Sequence, residues 1–394
     1  MNLANRMNRL GTETAFEVLA KAKKLEAEGK EIVHLEIGEP DFDTPKNIKK
    51  AAIEAIKNGY THYTPSAGIP KAREAVSEYL NKTRPGINAR PEDVVITVGG
   101  KPVMLYTILA LVDEGDEVIC PNPTYPIYES LVNFVGGKTV PIQIKEEKGF
   151  NFDVEDLEKL ITPKTKLIVI NSPANPTGGV IPEKDMEKIV KILEKHPQIY
   201  ILSDEIYSEI IYSGKHISIA TYPGMRQRTI VLDGLSKTYA MTGWRLGYGL
   251  CPSDLAPYIT KLITNSVSCA PAFGQMALIE SLTGPQNSVK KMLREFKKRR
   301  DAIVKGLNEI PGFSCQTPKG AFYVFPNITK TGYKSQELAD MILYEAGVAC
   351  LSGTCFGAYG EGYLRFSYAN SLENINKAIE KIKSISNKWA DKVK

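Results

Sequence analysis

From Thr14 to Glu28 apolar residues recur at helical spacing among charged ones, and Gly29 ends the run. Ile32-Val-His-Leu-Glu-Ile reads as a short strand, "GEPDFDTP" from Gly38 as a loop dense in turn formers, and Ile48 to Asn58 as a second helix. The chain then settles into a repeating order of apolar strand, turn and amphipathic helix. Val94-Val-Ile-Thr predicts a strand, and Val103 to Val112 a helix. Glu117-Val-Ile-Cys predicts a strand, and Ile127 to Phe134 a helix. Lys166-Leu-Ile-Val-Ile, Ile199-Tyr-Ile-Leu-Ser and Thr229-Ile-Val-Leu-Asp predict three more strands. Such alternation implies a largely parallel sheet covered by helices on both faces. A charged helix over Lys290 to Lys305 precedes a different pattern. "FSCQTPKGAFYVFPNI" predicts an antiparallel pair around a Pro-Lys-Gly turn. A helix from Ser335 to Ala346, a strand near Tyr363 to Ser367 and a helix from Leu372 follow, as in a small α+β unit.

Composition narrows the function classes. At 394 residues, with 43% apolar and 24% charged, the chain can bury a large core without staples. Its net charge of +5 is spread thinly, with no basic block interleaved with aromatics, so nucleic acid is not an expected partner. The 6 cysteines show no CxxC and the 4 histidines no HxxxH, which argues against zinc and for free thiols in a reducing compartment. No apolar run reaches bilayer length and the first residues lack a signal core. The expected location is cytoplasmic, with no membrane partner.

Chemistry gathers where the predicted strands end. Ligands of open parallel sheets bind outside the carboxyl ends of the strands. The first end gives "NSPANPTGG" with Asn171 and Asn175, the second "SDEIY" with Asp204 and Tyr207, the third "DGLSK" with Ser236 and Lys237. Read singly, the first is a turn, Asp204 a helix cap and Lys237 a snorkelling lysine. If the strands lie side by side, they bring an amide, a carboxylate, a phenol and an amine to one crevice, with Arg245 close behind. A partly dry amine forms Schiff bases. A carboxylate keeps a pyridine nitrogen protonated, and an arginine grips phosphate with its fork. Those three needs are the needs of pyridoxal 5′-phosphate.

"GLSKTYAMTGWRLG" resembles the lysine-attachment signature of the class I/II aminotransferases, fold-type-I pyridoxal-phosphate enzymes akin to aspartate aminotransferase. "THYTPSAGIP", "NSPANPTGG", "SDEIY" and "YLRFSYANS" resemble other blocks of that family in the same order, from about Arg9 to beyond Arg365. The resemblance implies a large domain with a mostly parallel seven-stranded sheet between helices, plus a small α+β domain. The expected division is 1–40 for an N-terminal arm and part of the small domain, 41–299 for the large pyridoxal-phosphate-binding domain and 300–394 for the small C-terminal domain.

By this resemblance Lys237 is the Schiff-base lysine and proton carrier, and Asp204 pairs with the pyridine nitrogen. Tyr207 and Asn175 donate to the ring hydroxylate, and Tyr125 stacks on the ring where many relatives have Trp. Arg245, Ser236 and the helix start at Gly99, Gly100 and Lys101 hold the phosphate. Many relatives carry a hydroxyl residue where Gly234 stands, so one phosphate contact is expected to be missing or taken by water. Tyr63 reaches the neighbouring subunit's phosphate, which implies a homodimer with shared active sites. Arg365 grips the substrate α-carboxylate, and Gly38 borders the substrate with its backbone.

The implied activity is amino-group transfer from an L-amino acid to a 2-oxo acid, with a modest preference for aspartate and glutamate. "NSVSCAPAFGQ" from Asn265 carries no arginine for a distal carboxylate. Lys101 is the remaining candidate, because some family members use a lysine after the double glycine for this job. A Lys101 that only lines the phosphate cup or faces solvent stays open. So do aromatic, alanine-type or broad specificity, and a lyase reaction on the same scaffold.

Overall fold

The structure, a computed structural model, describes residues 3–390. The outermost ends of the expected domains, residues 1–2 and 391–394, lie outside the described residues.

Among the described residues there are thirteen strands: β1 Val33–His34, β2 Val94–Thr97, β3 Glu117–Asn122, β4 Lys138–Lys145, β5 Asn151–Phe152, β6 Thr165–Asn171, β7 Tyr200–Asp204, β8 Thr229–Gly234, β9 Gly247–Leu250, β10 Tyr323–Val324, β11 Val348–Ala349, β12 Leu351–Ser352 and β13 Leu364–Ser367. Eight of them form one sheet in the order β2-β9-β8-β7-β6-β3-β4-β5. β9 is antiparallel to both its neighbours, and the two-residue β5 is antiparallel to β4 at the edge. The other pairings are parallel. The expected seven-stranded, mostly parallel sheet is therefore present with one short edge strand added. The central strands β7 and β8 are buried along almost their whole length, as a sheet covered on both faces requires. Among the described residues no helix is long and apolar enough to cross a membrane.

The second body has its own core. Phe322, Tyr323, Phe366, Ile375 and Trp389 pack with Val33 and Leu35 from near the start of the chain. β1 joins it by pairing in parallel with β11. The helix Asn287–Asn308 contributes Phe296, Ile303 and Leu307 to this core. The expected boundary at residue 299 falls inside that helix, which links the bodies continuously. The expected hairpin over Phe313 to Ile328 is only partly formed. Ser314 meets Asn327 in a single antiparallel bridge, while β10 pairs with β13 instead. The reason is burial, because Tyr323 and Val324 are apolar or aromatic side chains with almost no exposure and pair where the core lies.

Candidate active site

β6, β7 and β8 lie side by side, with Asn171 opposite Asp204 and Asp204 opposite Leu232. Past β8 a single helical turn, Leu235–Thr238, carries Ser236 and Lys237. The three expected strand ends therefore meet. Gly38, Gly100, Lys101, Tyr125, Asn175, Asp204, Tyr207, Ser236, Lys237, Arg245 and Arg365 all line one cavity of about 480 Å³. Tyr63 does not line it, and its side chain is 88% exposed on the surface.

Lys237 Nζ donates to the Gly38 carbonyl at 2.6 Å. Desolvation pushes its ammonium down to about 8, with Glu39 opposing. Gly38 has no room for a side chain, since a Cβ there would collide with the Tyr323 hydroxyl. The Asp204 carboxyl is buried, and burial pushes it up to about 6. Two donors oppose that rise: the Tyr128 hydroxyl at 2.6 Å and the Ile206 amide at 3.1 Å. Tyr207 shares a 2.8 Å hydrogen bond with the Tyr323 hydroxyl. Arg365 is buried, donates to Asn175 Oδ1 at 3.2 Å and to the Glu36 carbonyl, and leaves its Nε without a partner.

At the other end, the helix Lys101–Leu111 opens directly behind Gly99 and Gly100. Gly99 has φ +85°, and a Cβ there would collide with the Arg245 guanidinium. The glycine turn thus lets the arginine lie against a helix start where Pro102 has no N–H and the Val103 amide already donates to the Gly100 carbonyl at 3.0 Å, which leaves the Gly100 and Lys101 amides for an anion. Arg245 Nη1 donates to the Thr242 carbonyl at 2.7 Å. Gly234 is explained by packing: a Cβ there would lie 3.0 Å from Gly247 Cα and 3.2 Å from the Leu246 carbonyl.

Sequence reasoning missed Tyr128, Tyr323 and Glu13, all of which line the cavity. Tyr128 was visible as the residue one helical turn after Tyr125. Tyr323 read only as a strand residue. Glu13 precedes the helix Thr14–Ala27 and accepts a 2.9 Å bond from Lys101 Nζ.

This donor set fits pyridoxal phosphate. An amine with a lowered proton affinity, a buried carboxylate and an arginine at a helix start stand around one cavity, and a buried arginine Nε there lacks a partner. The aminotransferase class I and II family matches residues 30–382. A probable aspartate/prephenate aminotransferase of Aquifex aeolicus is 40% identical over 97% of this chain and 98% of its own. Aromatic-amino-acid aminotransferase 2 of Thermococcus litoralis is 39% identical over 98% of each. The aspartate aminotransferase of Thermus thermophilus, solved with maleate, superposes with a TM-score of 0.93 at 36% identity, covering 98% of this chain and 99% of that one. The chain belongs to the class I and II aminotransferases and is a pyridoxal-phosphate-dependent enzyme of that family.

Proposed function

We propose that the protein transfers the amino group of an L-amino acid to a 2-oxo acid in a ping-pong cycle, with a modest preference for aspartate and glutamate. The observation that carries this reading is the convergence of Lys237, Asp204 and Arg365 on one cavity. The cofactor supplies an electron sink that acidifies the substrate Cα–H. Lys237 would hold the cofactor and move the Cα proton, a task that suits an amine lowered to about 8. Asp204 would set a negative charge at the pyridine nitrogen, and Tyr207 with Asn175 would donate to the ring oxygen. Tyr125, which lines the cavity, would stack on the ring. Arg245, Ser236 and the backbone amides of Gly100 and Lys101 would hold the phosphate together with the partner subunit's Tyr63. Arg365 binds the α-carboxylate in the bidentate manner its planar fork allows, and the Gly38 backbone borders the substrate.

The preference for acidic donors rests on Lys101, which lines the cavity and which we read as the contact for a distal carboxylate. The Thermus relative was solved with maleate, itself a dicarboxylate. The Thermococcus relative named for aromatic amino acids supports a broader range. A half-reaction screen tests the reading. Stoichiometric aspartate or glutamate should convert the bound cofactor and yield one 2-oxo acid with no free ammonia. Ammonia released in step with the oxo acid would replace transamination with a lyase-type reaction. We place the enzyme in the cytoplasm as a homodimer with shared sites. Mixed dimers of Tyr63→Phe and Lys237→Ala subunits should exceed the activity of either parent, and equal activity would remove Tyr63 from the site.

A further inference from the structure

Four cations line the cavity, and one differs from the rest. Lys237, Arg245 and Arg365 give their hydrogen bonds to carbonyl oxygens, those of Gly38, Thr242, Asn175 and Glu36. Lys101 alone meets a carboxylate, Glu13 Oε2 at 2.9 Å. The pair stands beside an aromatic ring, with Lys101 Nζ 5.8 Å from the Tyr125 centroid. Burial chiefly, and the Glu13 charge next, hold the Tyr125 hydroxyl well above its ordinary range. A carboxylate of the chain thus occupies the place at Lys101 that a substrate's distal carboxylate would need.

The position of Glu13 in the chain matters as much as its contact. Just before it, Arg9 Nε donates to the Asn133 carbonyl and the Gly11 amide to Ser130 Oγ, each at 2.9 Å. Those bonds pin the segment to the helix Ile127–Val135 of the large body. Just after it, Val18, Ala22 and Leu25 pack with Phe325, Leu351 and Phe356 of the second body. Glu13 therefore sits on the short crossing between the two bodies, at the rim of the cavity. The Lys101 side chain is 48% exposed, although that of Glu13 is only 15%, so the ion pair is screened on its lysine side and a competing carboxylate can reach the ammonium.

We propose that Glu13 is a built-in substitute for the distal carboxylate of an acidic donor. With Glu13 on Lys101 that end of the cavity is neutral and accepts uncharged or aromatic side chains. With aspartate or glutamate bound, the substrate takes the ammonium and Glu13 withdraws toward solvent. This rests on the reading of Lys101 as the distal contact, and it turns one lysine into a two-way selector.

The test uses the holoenzyme with Glu13→Gln, Lys101→Ala and the double variant. It reads kcat/KM for aspartate against phenylalanine, and maleate affinity by calorimetry. Removing a competing carboxylate should raise the aspartate-to-phenylalanine ratio by about tenfold and tighten maleate to match, on the scale of one charged hydrogen bond. Both gains should vanish when Lys101→Ala is added. If Lys101→Ala lowers the ratio while Glu13→Gln leaves both readouts where they were, the substitute role is wrong and the distal-contact reading stands. If neither variant moves the ratio or maleate, both fail. If the parent favours phenylalanine and Glu13→Gln still raises aspartate through Lys101, the selector holds and the acidic preference falls.

Discussion

Asp204 and Glu205 are neighbours in the chain at the end of β7, yet they belong to two opposite kinds of charge cluster. Glu205 lies in a sealed one. Arg84 Nε donates to Glu205 Oε2 at 2.5 Å and Arg84 Nη2 to Asp233 Oδ2 at 2.6 Å. His216 Nε2 meets Glu205 Oε2 at 2.7 Å, and the Ser203 and Ser218 hydroxyls donate to its other oxygen. Arg84, Glu205 and Asp233 are all almost wholly buried. Burial opposes the charge on Glu205, but His216 and Arg84 outweigh it and hold the carboxyl well below its usual range. Asp204 has no cation within ion-pair reach among the described residues, and burial wins, pushing it up to about 6. One cluster pairs its charges from within and fixes the strand ends, although burial still pushes the Asp233 carboxyl up to about 6 against the pull of Arg84. The other gives its amine and its carboxylate hydrogen bonds but, among the described residues, no opposite charge in ion-pair reach, and leaves an arginine Nε without a partner, as a site does that awaits a ligand.

Breaking the open cluster should cost activity, and breaking the sealed one should cost stability. The largest effect is expected from Lys237→Ala, which removes the amine we propose to move the Cα proton. Transamination should fall by on the order of 10⁴-fold or more, with the melting temperature close to that of the parent. Asp204→Asn should slow kcat by on the order of 10³-fold while cofactor still binds, because the loss lies mainly in the transition state. A turnover near normal would reduce Asp204 to a helix cap.

The same variant sharpens the comparison through pH. A carboxyl raised from 3.8 to about 6 in the fold binds its proton more tightly than in the unfolded chain. Its contribution to stability is therefore present below about pH 4 and lost as pH rises through about 6. In cofactor-free protein, Asp204→Asn should gain on the parent across that window, by about 2–3 kcal/mol at pH 7. Denaturant midpoints at pH 4 and pH 7 measure this, and a constant difference would contradict it.

Arg84→Met should do the reverse of Lys237→Ala. Two buried carboxylates lose their cation, at a cost of roughly 3–5 kcal/mol in a urea titration, while kcat of the folded fraction stays within tenfold. The smallest effect is expected from Tyr128→Phe. It removes one charged hydrogen bond from Asp204, and kcat should fall about tenfold, with the pH profile of kcat shifted along with Asp204.

The open cluster was largely legible in the sequence, and the sealed one was not. Asn171, Asp204 and Lys237 close apolar runs that read as strands, so their meeting follows from parallel order alone. Arg84 lies 121 positions from Glu205 and 149 from Asp233, and no local pattern joins them. β4 escaped notice because Pro141 and several exposed positions break its apolar run, as a place near the sheet edge permits. β9, Gly247-Tyr-Gly-Leu, is half glycine and carries little strand signal. Its glycines answer to close packing, since a Cβ at Gly247 would strike the Gly99 and Gly100 backbone. Glu13 was silent for another reason, because its partner Lys101 is 88 positions away.

The most direct measurement is borohydride reduction of the purified holoenzyme followed by peptide mapping. The account predicts one cofactor per chain, fixed to the peptide that contains Lys237, and none after Lys237→Ala. An adduct on Lys101 or any other lysine, or a chain that takes up no cofactor, would contradict it.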